Sequence, residues 1–434
     1  MSFDICIVGA GPAGSLIGTL LGKEGFKVAI FEQKAIDSCW KSLSKNITFQ
    51  DSLDFIKKLD IDETDEDFFD YIEGISLLDR SGDVISDISI RLIKINREKI
   101  SKQIGTHLKE YTTVIDNCRV INIDLPKKKT DLIRVQTNTG NVYECSLLID
   151  AAGTLSSIRY KMNRIGADHW KTTSKMFSVE TVFEIDSSHE FFKNENRLAL
   201  IFDNRIASEL ILGYSHNSSI SLSIRDSLVK VARPKPINRV LFFKKIFSIR
   251  GNLHFQGIIV HPSYYPFLNL TYEGMILIGE SAFQANPIIS SGIYESLLGA
   301  NLAYLAIRKL DLIYPPSIND LWEYNVKYFR TAGKYLLSFY VLKTLLEQMK
   351  DSDKYDFLSI LPTKVSKDVN SLKTDAIFSL LRLTKSRIFW RLYDLGNLIR
   401  QIIRKTEEYP KDPTEFNLWK MEIEKILEKV RFLL

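Results

Sequence analysis

The hydrophobic pattern is most regular at the start of the chain. Residues 4–8 are an apolar run of strand length, and they lead directly into a glycine-rich turn at residues 9–14. A helical stretch from about residue 13 to residue 23 follows, and a second apolar run at residues 27–31 ends in Glu32. This succession of strand, turn, helix, strand and acid predicts a Rossmann-type nucleotide-binding unit.

The patterns farther along the chain indicate a second kind of sheet and a helical end. Residues 146–153 and 274–282 are apolar strands that close on small residues. Residues 74–90 and 176–224 alternate apolar and polar positions with period two, which is typical of antiparallel strands, and from about residue 313 the pattern is helical. We therefore predict an α/β fold in which a Rossmann-type domain is interleaved with an antiparallel β-sheet domain and followed by a helical C-terminal region. The predicted boundaries are 1–50, 90–165 and 250–312 for the first domain, 51–89 and 166–249 for the second, and 313–434 for the helical region.

The residue types in the first turn suit a dinucleotide. Gly9 allows the tight bend, Gly11 lets the backbone approach a pyrophosphate, and Gly14 lets the following helix pack closely on the sheet. The N-terminus of that helix carries roughly half a positive charge, which favours phosphate. Glu32 follows the second strand, where a carboxylate can accept hydrogen bonds from both hydroxyl groups of an adenosine ribose. The turn therefore predicts a bound dinucleotide, either NAD or FAD.

Two later segments favour a flavin. Ala152 and Gly153 follow an apolar strand. Because their side chains are small or absent, the backbone at these residues can lie against a cofactor. The segment 274–282 contains Glu280, whose carboxylate can accept hydrogen bonds from a ribityl chain. The amides at residues 290–293 open a helix, where they can stabilise negative charge on a reduced isoalloxazine. Together with the first turn, these segments predict FAD as the cofactor and assign its binding to the first domain.

The same segments resemble those of the geranylgeranyl reductases, within a wider flavoprotein group that includes aromatic hydroxylases, flavin halogenases and lycopene cyclases. The resemblance covers nearly the whole chain. It is carried by the N-terminal fingerprint with Glu32, by Arg97, by residues 151–153 and by residues 274–292. The region around residues 409–419, with a Tyr-Pro pair followed by tryptophan, looks most like the archaeal members.

The resemblance implies both a reaction and a set of binding positions. The reaction is FAD-dependent reduction of isolated carbon–carbon double bonds in geranylgeranyl or other isoprenoid lipids or their precursors, by hydride transfer from reduced flavin. The antiparallel sheet domain would then be the substrate domain. The implied cofactor-binding positions are Gly9, Gly11, Pro12, Ala13, Gly14, Glu32, Gln33, Arg97, Val120, Ala152, Gly153, Gly279, Glu280, Pro287, Ser291, Gly292 and Ile293.

The chain departs from the family pattern at its substrate-facing motifs. The family's Pro-Cys-Gly loop is Asp-Ser-Cys-Trp at residues 37–40, which makes Cys39 the candidate catalytic residue. The family's aromatic Tyr-x-Trp-x-Phe-Pro motif is absent near residues 210–220. Two alternatives therefore stay open, an FAD-dependent monooxygenase or halogenase-like enzyme, whose Trp-x-Trp-x-Ile-Pro motif is also absent, and a redox-neutral isomerase or cyclase similar to lycopene cyclases. His216 and His261 are candidate proton donors by location, although ordinary structural roles also fit them.

Length, composition and charge indicate the domain number, the cell compartment and the excluded partners of such an enzyme. With 434 residues, 45% of them hydrophobic, the chain is long enough to form two or three packed domains. It has no uncharged apolar run of about 18 residues and begins directly with a core strand, so we expect no membrane span, no signal peptide and a cytoplasmic protein. The four cysteines lack metal-site spacing, which predicts no bound metal and a reducing compartment. The net charge of +5 is too small to indicate a nucleic-acid partner.

Two further partners are expected. No second dinucleotide fingerprint occurs, so the electron donor is external, either a ferredoxin-like iron–sulfur protein or NAD(P)H. Residues 377–405 interleave arginine and lysine with apolar and aromatic residues, against a single acid, Asp394. A basic rim beside exposed aromatic groups suits peripheral contact with the anionic inner face of a membrane, although a solvated surface fits the same pattern.

Overall fold

A computed structural model describes most of the chain. The described residues are 1–42, 46–62, 68–79, 81–126, 128, 130–164, 167, 170–185, 197–201, 211–216, 219–227, 241, 244–245, 251–288, 291–359 and 389–432. Their strands form two sheets, and helices pack on the first sheet and build the C-terminal region. The predicted fold class, an α/β protein with a Rossmann-type sheet, a second sheet and a helical end, is confirmed.

The strands and helices are numbered here along the chain. The strands are β1 (Ser2–Val8), β2 (Val28–Phe31), β3 (Ile47–Phe49), β4 (Phe69–Leu78), β5 (Val84–Ile95), β6 (Thr113–Ile115), β7 (Val120–Asp124), β8 (Ile133–Thr137), β9 (Val142–Asp150), β10 (Phe177–Ile185), β11 (Arg197–Ile201), β12 (Ile211–His216), β13 (Ser219–Ser227), β14 (Leu253–Pro262), β15 (Thr271–Tyr272) and β16 (Met275–Leu277). The helices are α1 (Pro12–Lys23), α2 (Leu53–Ile56), α3 (Arg97–Tyr111), α4 (Ser157–Arg164), α5 (Ile293–Ile307), α6 (Ile318–Tyr328), α7 (Lys334–Gln348), α8 (Asp351–Ser359), α9 (Phe389–Glu407) and α10 (Phe416–Glu428).

The first sheet brings the predicted nucleotide-binding segments to one edge. Its path is β15-β16-β9-β1-β2-β6, and the pairings from β16 to β6 are all parallel. Strand β8 pairs with β9, and β7 pairs with β8, both antiparallel. Because parallel strands end at the same edge, the turns after β1, β2, β9 and β16 come together there. Ligands of open α/β sheets bind at that edge.

The second sheet is mixed. Its path is β14-β10-β13-β12-β11-β4-β5-β3, with antiparallel pairings except for the parallel pair of β11 and β4. Two of its strands extend beyond the boundaries predicted at residues 90 and 250. Strand β5 continues to Ile95 because it pairs with β3, and β14 pairs with β10 along its length. The chain therefore alternates between the two sheets in the predicted order, and the second sheet takes in residues beyond both boundaries.

The C-terminal helices are joined to the first sheet by an aromatic cluster around Tyr409. The Tyr409 ring stacks on Phe329 with ring centres 4.7 Å apart and meets Trp419 edge-on at 4.5 Å. Its hydroxyl group donates to the carbonyl oxygen of Leu268 at 2.8 Å, just before β15. The cluster buries large rings and satisfies the one polar atom of Tyr409, so it fixes the helical region in place.

The candidate membrane segment is only partly described. Residues 377–388, which include Arg382, Lys385 and Arg387, lie outside the described residues. Within α9, Leu395, Leu398 and Ile402 are buried, while the arginine side chains at 400 and 404 are exposed. Among the described helices, none is long and apolar enough to cross a membrane.

Candidate functional site

A cavity of about 520 Å³ runs along the carboxyl ends of the parallel strands. It passes the ends of β2, β1, β9 and β16, which are four adjacent strands and so span about 14 Å at 4.8 Å spacing. The predicted positions that line it are Gly9, Gly11, Pro12, Ala13, Glu32, Gln33, Cys39, Arg97, Val120, Ala152, Gly153, Gly279, Glu280, Ser291, Gly292 and Ile293. Gly14 and Pro287 do not line it. Residues from distant parts of the chain thus share one cleft.

The three glycines of the first turn differ in what a side chain at each position would meet. Gly9 has φ of +100°, and a Cβ there would also overlap the carbonyl oxygen of Ala151. A Cβ at Gly14 would overlap the carbonyl oxygen of Gly9, so the close approach of helix and turn requires glycine. Gly11 is different, because its Cβ would meet no protein atom within 4 Å and the residue lines the cavity. A side chain at residue 11 would therefore extend into the cavity.

Glu32 holds the turn as well as facing the cavity. The side chain is buried at the end of β2, and its Oε2 accepts a hydrogen bond from the amide of Ala10 at 2.9 Å. Oε1 accepts from the amide of Lys34 at 3.0 Å. A carboxylate has about four lone-pair positions, so each oxygen keeps capacity for a ribose hydroxyl group. The backbone contacts pre-orient the carboxylate, a role that the sequence pattern did not predict.

The loop after β9 is tied to the turn after β16 by Arg159. This buried guanidinium donates to the carbonyl oxygens of Thr154 and Ser281, both at 2.6 Å. Asp150, at the end of β9, accepts from the amide of Ala152 at 3.0 Å and from the Ser156 hydroxyl group. Burial lowers the pKa of Arg159 to about 10, which leaves it charged at neutral pH. Arg159 therefore braces both loops that form the cavity floor, and no sequence motif marked it.

Glu280 lies on the short helical turn Gly279–Ala282 after β16. Its Oε2 accepts a hydrogen bond from the hydroxyl group of Thr154 at 2.7 Å. Its Oε1 is 3.0 Å from the position that a Cβ would take at Gly292, the N-cap of α5. Gly292 has φ of −122°, so space rather than backbone strain favours glycine there. The carboxylate and the N-terminus of α5 thus lie side by side at one end of the cavity.

Cys39 lines the cavity near Glu32 and is buried. Burial, followed by the negative charge of Glu32, raises the pKa of the Cys39 thiol to about 12. The sulfur therefore carries its proton at neutral pH. A protonated thiol can donate a proton but is a poor nucleophile.

Alkylation should reveal this property of Cys39. We expect iodoacetamide to modify Cys39 at pH 8 on the order of 1,000-fold more slowly than a free cysteine peptide, because a pKa of about 12 leaves far less thiolate. Peptide mass spectrometry gives the rate, and denatured protein provides the reference for the same residue. A rate that reaches its plateau below pH 9 would contradict the raised pKa of Cys39.

Several lining residues were not predicted. Trp40 is buried beside Cys39, and its indole NH donates to the Ser15 hydroxyl group at 3.1 Å. Ile47 from β3 and Ile259 from β14 bring apolar surface from the second sheet. Nothing in their local sequence distinguishes such residues from ordinary core positions. The side chains of residues 211–220, including His216, lie outside the described residues, so the substrate-motif prediction there stays a prediction.

Comparison with known proteins gives independent information. Residues 7–36 match the family model of the NAD(P)-binding Rossmann-like domain. Over nearly its whole length, the chain is similar to digeranylgeranylglycerophospholipid reductase of Sulfolobus acidocaldarius, with 19% identity over 98% of each chain. It is also similar to digeranylgeranylglycerophospholipid reductase 1 of Methanococcoides burtonii, with 22% identity over 91% of this chain and 95% of that one. The resemblance to geranylgeranyl reductases is confirmed.

Solved structures agree on the fold. A geranylgeranyl bacteriochlorophyll reductase-like protein from Thermoplasma acidophilum matches with a TM-score of 0.74 at 15% identity, covering 91% of this chain and 99% of that one. The flavin-dependent brominase Bmp2 matches with a TM-score of 0.63 at 15% identity, covering 99% of this chain and 100% of that one. The chain thus shares its fold with a reductase-like protein and a flavin-dependent brominase, and its similarity to the named reductases supports an enzyme.

Proposed function

We propose that the protein is an FAD-dependent reductase of isolated carbon–carbon double bonds in a geranylgeranyl or related isoprenoid lipid or its precursor. The observation that carries the proposal is the similarity to the Sulfolobus acidocaldarius reductase, which extends over 98% of both chains. A local nucleotide-binding motif alone would also fit many other enzymes. The similarity to this reductase also covers the second sheet and the C-terminal helices. These are the parts of the chain that would contact the substrate.

The residues that line the cavity support FAD as the cofactor that binds there. Gly11 and the N-terminus of α1 would face the diphosphate, since they offer open space and a partial positive charge. Glu32 would hold the adenosine ribose. At the other end, Glu280 would hold the ribityl chain, and the N-terminus of α5 would face the flavin ring. In this order the flavin would lie three strands away from Glu32, near the residues that β14 of the second sheet contributes to the cavity.

The reaction then depends on how the isoprenoid chain is positioned in the cavity. Reduced FAD would supply the hydride, and the other alkene carbon needs a proton. An isolated alkene has no carbonyl group for the protein to polarise, so holding the chain in a water-poor site is the main task. Ile47 and Ile259 offer apolar surface, and each methylene buried contributes about 0.8 kcal/mol. Cys39 keeps a proton on its sulfur within the same cavity, and we propose it as the catalytic residue.

Lipid analysis tests the reaction. The protein is expressed in a host that makes unsaturated isoprenoid lipids, and the lipids are examined by mass spectrometry. We expect a gain of one hydrogen molecule per double bond, with a flavin-free Gly11→Val variant as the matched control. A gain of oxygen would instead indicate a monooxygenase, and an unchanged mass with altered retention would indicate a cyclase or isomerase.

Two partners complete the proposal. An external donor, a ferredoxin-like protein or NAD(P)H, would reduce the flavin, and anaerobic bleaching of the flavin absorbance with each donor tests which one does. The basic segment at residues 377–405 would contact the cytoplasmic face of an anionic membrane, where the substrate partitions. Co-sedimentation with anionic vesicles tests this contact, and recovery that does not decrease with added salt would contradict it.

A further inference from the structure

A buried histidine joins the two sheets at the Glu280 end of the cavity. His261 lies on β14 of the second sheet, lines the cavity and is 3% exposed. Its partner Glu180 lies on the neighbouring strand β10 and is 1% exposed. The third group, Glu280, belongs to the first sheet's side of the cleft. Three ionisable side chains from three separate elements therefore converge at one point.

The ring of His261 has a defined orientation. Its Nε2 is 2.6 Å from Oε2 of Glu180, the distance of a charge-assisted hydrogen bond. With Nε2 donating to Glu180, Nδ1 is left to face the cavity, 4.0 Å from Oε1 of Glu280. Within the described part of the chain, Nδ1 makes no hydrogen bond of its own. A carboxylate partner of this kind fixes the ring and its tautomer, as in metal sites and catalytic triads.

Glu280 is held from two sides in this arrangement. Thr154 donates to Oε2 at 2.7 Å, and the imidazole approaches Oε1. Gly292 lies beside Oε1, close enough that a Cβ at residue 292 would be 3.0 Å from that oxygen. Thr154 and His261 thus lie next to different oxygens of the Glu280 carboxylate.

Two carboxylates face His261 from different elements. Glu180 faces it from β10 and Glu280 from the turn after β16. Arg225 of β13 lies opposite Glu180 in the strand register, and it donates to the carbonyl oxygen of Ile288 at 3.2 Å. Each ring nitrogen of His261 therefore has a different carboxylate as its neighbour, Glu180 at Nε2 and Glu280 at Nδ1.

We propose that His261, oriented by Glu180, is a positioning residue that fixes the Glu280 carboxylate for FAD. Its contribution is exerted through Glu280 rather than through contact with the isoprenoid chain. The inference rests on the FAD site of the proposed function and is independent of which alkene is reduced. It assigns a binding role to a residue that by sequence is a lone histidine on a strand.

A double-mutant cycle on FAD affinity tests the role. The dissociation constant of FAD is measured by flavin fluorescence for the parent, His261→Gln, Glu280→Ala and the double variant. We expect Glu280→Ala to raise the constant between about 10-fold and 150-fold, as for a lost hydrogen bond to a charged group. His261→Gln, whose amide can still pair with Glu180, should raise it about 5- to 10-fold in the parent and less than about 2-fold in the Glu280→Ala background.

A matched control and a second variant complete the design. His254→Gln changes an exposed histidine on the same strand and should leave FAD affinity unchanged. Glu180→Gln probes the pair from the other side and should weaken FAD binding only when Glu280 is present, which keeps the test valid if His261→Gln does not fold. Equal effects of either variant in both backgrounds, or no effect in the parent, would overturn the proposal. A parent that fails to bind FAD would overturn the cofactor assignment as well, whereas normal FAD binding without alkene reduction would contradict only the proposed reaction.

Discussion

Replacing Gly11 with valine should produce a folded protein that does not retain FAD. A Cβ at Gly11 meets no protein atom within 4 Å, and the residue lines the cavity beside the N-terminus of α1. The valine side chain would therefore occupy the space expected for the diphosphate. We expect FAD affinity to fall on the order of 100-fold or more, which corresponds to about 2.7 kcal/mol. The measurement is the ratio of flavin to protein absorbance after desalting.

Two neighbouring variants separate cofactor loss from misfolding. Gly11→Ala adds only a methyl group to the cavity and should lose less flavin. Gly14→Val should instead destabilise the fold, because its Cβ would overlap the carbonyl oxygen of Gly9. Thermal unfolding of each variant distinguishes the two effects. A full flavin complement in Gly11→Val would refute the assignment of this turn to FAD.

The buried carboxyl group of Glu295 should make the protein less stable as the pH rises toward 8. Glu295 lies in the first turn of α5, is 6% exposed and has its pKa raised by burial from 4.5 to about 8. The folded state therefore keeps a proton that the unfolded state releases. This stabilisation is complete below pH 4.5 and is lost as the pH rises through about 8. The full loss is about 5 kcal/mol, at roughly 1.4 kcal/mol per pH unit.

Chemical denaturation at two pH values measures the effect. Between pH 6 and pH 8 the parent should lose about 2 to 3 kcal/mol of unfolding free energy relative to Glu295→Gln, which cannot ionise. Glu323→Gln, an exposed glutamate on α6, is the matched control and should follow the parent. Parallel pH dependence of the parent and Glu295→Gln would show that Glu295 is already ionised in the folded protein.

The nucleotide-binding end of the site was predictable from local sequence. Gly9 and Gly14 are required by a positive φ and by close packing, and both constraints act between residues near in the chain. The alternation of apolar residues likewise predicted a second sheet, because it depends only on which face of a strand is buried. These features are periodic or local, so they can be recognised in the amino-acid sequence.

The far end of the site depended on contacts between distant segments. Thr154 and Glu280 are 126 positions apart, and His261 and Glu180 are 81 apart. Arg159 reaches Ser281 across 122 positions. Hydrogen bonds between such side chains follow no period, so the sequence contains no pattern for them.

Sequence by itself determined the Rossmann unit, the flavoprotein resemblance and many of the positions that line the cavity. Tertiary structure decided that β14 joins the second sheet, and thereby that His261 faces Glu280. The physical reason is that strand pairing between remote segments is chosen by burial of whole faces and by backbone hydrogen bonds. A single histidine on a strand acquires its partners only when that pairing is made.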